Sequence, residues 1–231
     1  DDEVFGCGGA IMRHVQHNTP VHVIIVSDGT YGVSAEAENE HAIQRQNESI
    51  AAAQELGYGI PAFWHYPDRQ ISYSEKLIQH ILASIREINA DLVYAPSVLE
   101  MHPDHRALGM AVTEAVRRIG MMIRVAFYEV GVPLHPNLLL DISDLAARKS
   151  AAMSCFTSQN AKQRYDQHIT ALNRYRTYTL PEQVNAAEAY MLVNAEELAD
   201  DPLKLYESEH ARQNALGLPL DRSDLPLVSV I

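Results

Sequence analysis

Short apolar runs alternate along this chain with stretches of helical length, and that alternation limits what it can fold into. The runs are Val21-His22-Val23-Ile24-Ile25-Val26, Ala62-Phe63-Trp64-His65-Tyr66, Asp91-Leu92-Val93-Tyr94-Ala95 and Arg124-Val125-Ala126-Phe127-Tyr128. Each has the length and the β-branched or aromatic content of a buried strand. Between them, residues 37–56 read as a helix with Gly57 as its stop. On it Arg45, Glu48 and Ala52 share one stripe, while Ile43 and Ile50 lie on another that can face the core. Residues 74–89 carry Leu77, Ile78, Ile81, Leu82, Ile85 and Ile88 at helical spacing, with Ser74 placed to cap. Residues 103–118 and 143–155 read as helices, and 162–176 as a polar helical stretch. Strands alternating with helices predict βαβ units and an α/β fold: a Rossmann-like, mainly parallel sheet flanked by helices.

Composition narrows the setting. Of 231 residues, 47% are hydrophobic, enough for a substantial core. A formal net charge of −12 argues against nucleic acid or an anionic membrane surface as the main partner. Cys7 and Cys155 do not form a disulfide framework, no apolar run approaches the ~18 residues of a membrane span, and no signal peptide is evident, so a cytoplasmic setting is expected. The chain opens on two aspartates and closes on a strand-like segment, and an excerpt of a longer polypeptide is the expectation. Residues 207–226, polar with scattered Gly and Pro, read as a linker.

Two polar clusters carry the chemistry. Asp1-Asp2-Glu3 precedes the glycine-rich Val4-Phe5-Gly6-Cys7-Gly8-Gly9, with a helix expected to begin near Gly8. His102-Pro103-Asp104-His105 opens a later helix, where Pro103 suits the first turn. Carboxylates and imidazoles of this kind hold a zinc ion with an open position, and ligands in open α/β sheets bind at the carboxyl ends of strands. Taken singly, an acidic run at a helix start is commonly no more than a favourable match to the helix dipole. Gly6-Cys7-Gly8-Gly9 lacks the spacing of a dinucleotide loop. In its glycine-rich setting Cys7 is expected to pack as a small apolar residue. Tyr165, Tyr175 and Tyr178 suit either core or pocket wall.

With these residues in view the chain resembles the PIG-L/LmbE family of zinc-dependent N-acetylglucosaminide deacetylases. Asp1-Asp2-Glu3 matches the end of that family's opening motif, and His102-Pro103-Asp104-His105 its second. Ser27-Asp28-Gly29, the Arg45-to-Gly57 helix, Pro67-Asp68, Lys149 with Ala152, Ser158-Gln159 and Glu188-Ala189-Tyr190 match further signatures. The resemblance implies that Asp2 and His105 are zinc ligands, with a third, a histidine, upstream of Asp1. It implies that Asp1 is the general base and His102 the acid and oxyanion stabiliser, held in orientation by Asp104. Arg45 and Asp68 would bind sugar hydroxyls. A deacetylase domain over 1–206 is expected, its first strand upstream of Asp1. Pro226-Leu227-Val228-Ser229-Val230-Ile231 resembles the first strand of a family 2 glycosyltransferase, which would make a fused transferase the neighbour of 207–231. A nucleotide- or lipid-linked N-acetylhexosamine is then the expected substrate. An amidase on another small amide and a non-catalytic glycan-binding module are the competing readings.

Overall fold

A computed structural model describes residues 1–120, 123–201 and 205. In chain order the elements are α1 (Asp2–Gln16), β1 (Ile24–Ser27), α2 (Glu38–Leu56), β2 (Ala62–Tyr66), α3 (Glu75–Ile88), β3 (Leu92–Pro96), α4 (Pro103–Ile119) and β4 (Arg124–Tyr128). There follow β5 (Leu138–Asp141), α5 (Ala146–Ser154), α6 (Thr157–Asn160), α7 (Tyr165–Tyr175), β6 (Ala187–Asn194) and α8 (Ala195–Asp200). Local chemistry sets several boundaries. The Ser74 hydroxyl accepts the Leu77 N–H at the start of α3, Asn89 ends that helix in the left-handed region, and Gly57 ends α2 in the same way.

The sheet is mixed in direction. β1 pairs with β2 and β3 with β4 in parallel, whereas β6 runs antiparallel to both β4 and β5. The described strands form two ladders, β1-β2 and β3-β4-β6-β5, and neither β1 nor β3 has a hydrogen-bonded neighbour on its other side among the described residues. Alternation along each strand feeds two cores. Val125 and Phe127 of β4 join Met191 and Val193 of β6 against α3, α4 and α8. Ala126, Tyr128 and Tyr190 point the other way, against α1, α2 and α5. Helices thus cover both faces of an α/β layer.

One expectation needs correcting. On α2 the buried face is Glu48, Ser49, Ala52, Ala53 and Leu56, while Ile43 is 49% exposed. The Glu48 carboxylate is turned inward because it accepts the Ser158 hydroxyl (2.6 Å), the Ser158 N–H (2.8 Å) and the Thr157 hydroxyl (2.9 Å). Hydrogen bonds to α6 therefore decided the inward face, not apolar content. Residues 207–231, read above as a linker and the start of a transferase strand, lie outside the described residues. No described helix is long and apolar enough to cross a membrane.

α1 is bent at Cys7, whose φ of −138° is non-helical. The bend restarts the helix near Gly8 and leaves amide N–H groups without intrahelical acceptors. Glu188 of β6, fully buried, supplies them: it accepts from Gly9 (2.7 Å) and Ala10 (2.9 Å). The same carboxylate accepts from the Lys149 ammonium (2.6 Å) and the Tyr190 hydroxyl (2.6 Å), and Lys149 also donates to Asn173 (3.1 Å). An anion at a helix N-terminus also matches the dipole. Cys7 packs in the core as expected, and burial, with Glu188 adding, pushes its thiol well up. A β-carbon on Gly9 would stand 2.4 Å from Ile142 Cγ2 and 2.9 Å from the Glu188 carboxyl group, so only glycine permits this approach. Gly9→Ala is expected to cost about 1–3 kcal/mol of stability, read as a lower urea midpoint. An unchanged midpoint would show that the contact is not tight.

Candidate active site

The carboxyl ends of β1, β2 and β3 open on a cleft of about 450 Å³. The residues singled out from sequence all line it: Asp1, Asp2, Arg45, Asp68, His102, Asp104 and His105. Asp1 immediately precedes α1, and its Oδ1 accepts from Arg45 Nη2 at 3.0 Å. The Arg45 guanidinium lies over Gly29, where a β-carbon would fall 2.9 Å from Nε; Gly29 also has φ +65°. That loop glycine lets Arg45 reach Asp1. Arg45 Nη1 is buried with no hydrogen-bond partner in the protein, and so keeps a donor in reserve.

Asp2, at the first turn of α1, faces His105 of α4: Nε2 lies 3.0 Å from Oδ2. Behind the imidazole, Nδ1 is 3.8 Å from Glu100 Oε2, a charge contact longer than a hydrogen bond. Glu100 is 1% exposed and accepts from the Val130 (2.7 Å) and Gly131 (3.0 Å) N–H groups. It was not singled out from sequence; its one signal was an acidic residue just before His102-Pro103-Asp104-His105. Burial alone would lower the His105 pKa, but Asp2 and Glu100 outweigh it and hold it at about 10. Burial would raise Asp2, but His105, with Arg45 adding, holds its carboxyl well below the usual range.

His102 is the N-cap of α4, and its ring centroid lies 4.9 Å from that of His105. Asp104 was expected to orient His102. Its hydrogen bond goes elsewhere: Oδ2 accepts the Arg69 backbone N–H at 2.7 Å. The backbone donor wins because the loop after β2 is drawn down over α4, with Arg69 held at φ +60°. Burial pushes the Asp104 carboxyl up, against the Arg69 N–H and the His102 charge. His102 Nδ1 and Asp104 Oδ1 are buried without hydrogen-bond partners in the protein. Asp68 Oδ2 accepts the Tyr31 N–H at 3.2 Å. Tyr165 is a cleft wall, whereas Tyr175 and Tyr178 are exposed. Gln159, of the Ser158-Gln159 signature, also lines the cleft, as do Arg69, Tyr31 and Lys162, which carried no sequence signal of that role.

Asp2 and His105 fit as part of a metal site. A carboxylate and an imidazole converge, with a buried carboxylate behind the ring, the outer support that metal-binding histidines usually have. Among the described residues no group of three His, Cys, Asp or Glu side chains is arranged to hold an ion.

The family model described as PIG-L: GlcNAc-PI de-N-acetylase matches residues 1–116. The chain belongs to the PIG-L family. A diacetylchitobiose deacetylase of Thermococcus kodakarensis is 27% identical over 180 residues, which are 69% of this chain and 66% of the relative, just under two thirds of its length. A probable N-acetyl-alpha-D-glucosaminyl L-malate deacetylase 2 of Bacillus anthracis is 27% identical over 193 residues, 74% of this chain and 84% of the relative. Among solved structures, the N,N'-diacetylchitobiose deacetylase of Pyrococcus horikoshii superposes with a TM-score of 0.77 at 23% identity, covering 90% of this chain and 85% of that one. GalB, a 4-carboxy-2-hydroxymuconate hydratase of Pseudomonas putida, superposes at 0.71 and 22% identity over 83% and 91%. These structures establish a shared PIG-L fold, which hosts more than one chemistry.

The Asp2–His105 pair has a pH signature in the metal-free protein. A histidine pKa raised from 6.5 to about 10 adds stability that is complete below 6.5 and is lost as the pH rises through 10. A depressed Asp2 adds stability present above its unfolded pKa and lost in acid. NMR titration of His105 is expected to find a charged imidazole at pH 8. A midpoint near 6.5 would mean that Asp2 does not hold the proton.

Proposed function

We propose that this chain carries the hydrolytic site of a metal-dependent N-deacetylase that removes the acetyl group from an N-acetylglucosamine-type amino sugar. The observation that carries this reading is one cleft holding the Asp2–His105 pair, the Asp1–Arg45 pair and His102 together. Asp2 and His105 would hold a zinc ion, with a third donor supplied from outside the described residues. The ion would polarise the acyl oxygen and make water more acidic. Both relatives described above are named as deacetylases of N-acetylated sugars.

The protein's own groups account for the proton transfers. Asp1, oriented by Arg45, takes a proton from the attacking water. His102 stabilises the developing oxyanion and gives a proton to the departing nitrogen, without which an amine is a poor leaving group. Asp104 is buried at the start of the same helix and lines the same cleft. One water is consumed, the C–N bond breaks, and acetate and the free amine leave. The unpaired Arg45 Nη1 and the Asp68 carboxylate are placed to bind sugar hydroxyls. That donor and that acceptor favour a sugar over another small amide, and the full set of reactive groups favours an enzyme over a binding module. A strand from a segment before Asp1 would suit the unpaired edges of β1 and β3, both parallel in their existing pairings. The transferase neighbour and the linked-hexosamine substrate stay part of this proposal.

The test is acetate release from a panel of N-acetylhexosamine compounds, with and without a chelator. Release lost on chelation and restored by zinc is expected. Asp1→Ala is expected to lower kcat by at least about 100-fold while metal is retained, whereas His105→Ala loses both. Full activity in metal-loaded Asp1→Ala would remove Asp1 from the base role.

A further inference from the structure

β4 delivers to the cleft a side chain that the mechanism above leaves idle. Tyr128 is the last residue of that strand. Alternation turns it, with Ala126, towards α1, and its place at the carboxyl end makes it part of the cleft wall. The chain around it belongs to the site. Tyr128 is paired with Pro96 of β3, and its carbonyl accepts the Ser97 N–H at 2.9 Å, where the loop to Glu100 and His102 begins. The Val130 and Gly131 N–H groups that follow it hold the Glu100 carboxylate behind His105. The ring itself rests on α1. A β-carbon on Gly6 would fall 2.2 Å from Tyr128 Cδ2 and 2.8 Å from Cε2, so the phenol lies against bare backbone one turn after Asp2.

Tyr128 is 7% exposed, and among the described residues its hydroxyl has no hydrogen-bond partner. Buried phenols usually find one. Tyr94 and Tyr190 of the same core do, at His14 (2.9 Å) and Glu188 (2.6 Å). The Tyr58 hydroxyl is also unpaired, but Tyr58 does not line the cleft. A phenol keeps its proton at neutral pH, and burial, with Cys7, Asp2, Glu3 and Glu100 adding, pushes this one further up. The groups assigned to sugar hydroxyls, Arg45 and Asp68, come from α2 and the loop after β2, whereas Tyr128 stands among the supports of Asp2 and His105. We infer that the Tyr128 hydroxyl is a further catalytic group, a hydrogen-bond donor to the acyl oxygen of the N-acetyl group as that oxygen becomes an oxyanion. A donor fixed in place before the charge develops favours the transition state over the ground state. Tyr128 keeps its proton throughout, and His102 is left to protonate the departing nitrogen. This role rests on the deacetylase reading above and adds a second donor to it.

The experiment compares Tyr128→Phe with the wild type, both full-length and zinc-loaded, on an N-acetylglucosaminide and on its N-trifluoroacetyl counterpart. Phe keeps the ring against Gly6 and removes only an oxygen with no partner in the protein, so the urea midpoint is expected not to fall. On the acetyl substrate kcat is expected to drop about 100-fold, the usual loss for one oxyanion donor, with KM and bound zinc unchanged. Fluorine makes the oxyanion less basic and less dependent on a donor, so the loss is expected to shrink on the trifluoroacetyl substrate. A merely structural role would lower both substrates alike. Full kcat in Tyr128→Phe, a raised KM at unchanged kcat, equal losses on the two substrates, lost zinc or a lowered midpoint would each overturn the donor alone. A wild type that releases neither acetate nor trifluoroacetate would sink the deacetylase reading, and the donor with it.

Discussion

The Glu188 carboxylate joins parts of the chain far apart in sequence. It receives two amide N–H groups of the bent α1, the ammonium of Lys149 from α5 and the hydroxyl of Tyr190 from its own strand, and Lys149 passes the link to Asn173 of α7. A carboxylate this deeply buried is tolerable only when its oxygens are occupied. Once they are, α1 has one position against the sheet. The first turn of that helix delivers Asp1 and Asp2 to the cleft, so a charge cluster on the far side of the bend fixes where those two carboxylates stand.

The cleft repeats the device at its rim. Asp1 is tied to Arg45, Asp2 to His105, Asp68 to the Tyr31 N–H, Asp104 to the Arg69 N–H and Glu100 to the loop after β4. Each tie joins residues from different elements or loops. Placement of the cleft side chains therefore rests on carboxylates that bind backbone or a cation from another part of the chain, the kind of support that keeps a site preorganised.

Much of this was legible in the chain. β2 and β4 fall on the expected residues, Ser74 and Gly57 cap their helices, and the residues named for chemistry meet in one cleft. What escaped followed from contacts made only after folding. β6 opens Ala-Glu-Ala, a poor strand signal, and is a strand because Glu188 finds its partners and because β4 and β5 flank it. The inward face of α2 was misjudged because Glu48 is buried by hydrogen bonds to α6. Glu100 and Arg69 belong to the site through backbone N–H bonds, which leave no trace in side-chain spacing.

The rim of the cleft has a mechanical side. The loop that carries Asp68 and Arg69 hangs from the ladder of β1 and β2, whereas His102 and His105 follow β3 on the other. No described rung of backbone hydrogen bonds runs from one to the other. Two struts run across the rim of the cleft, the 2.7 Å bond from the Arg69 N–H to Asp104 and the 3.0 Å bond from Arg45 to Asp1. Both struts end on groups assigned to the chemistry. A ligand that strains either one moves the Asp1 or the Asp104 carboxylate, so how the cleft grips a ligand and where its carboxylates stand are geared to each other.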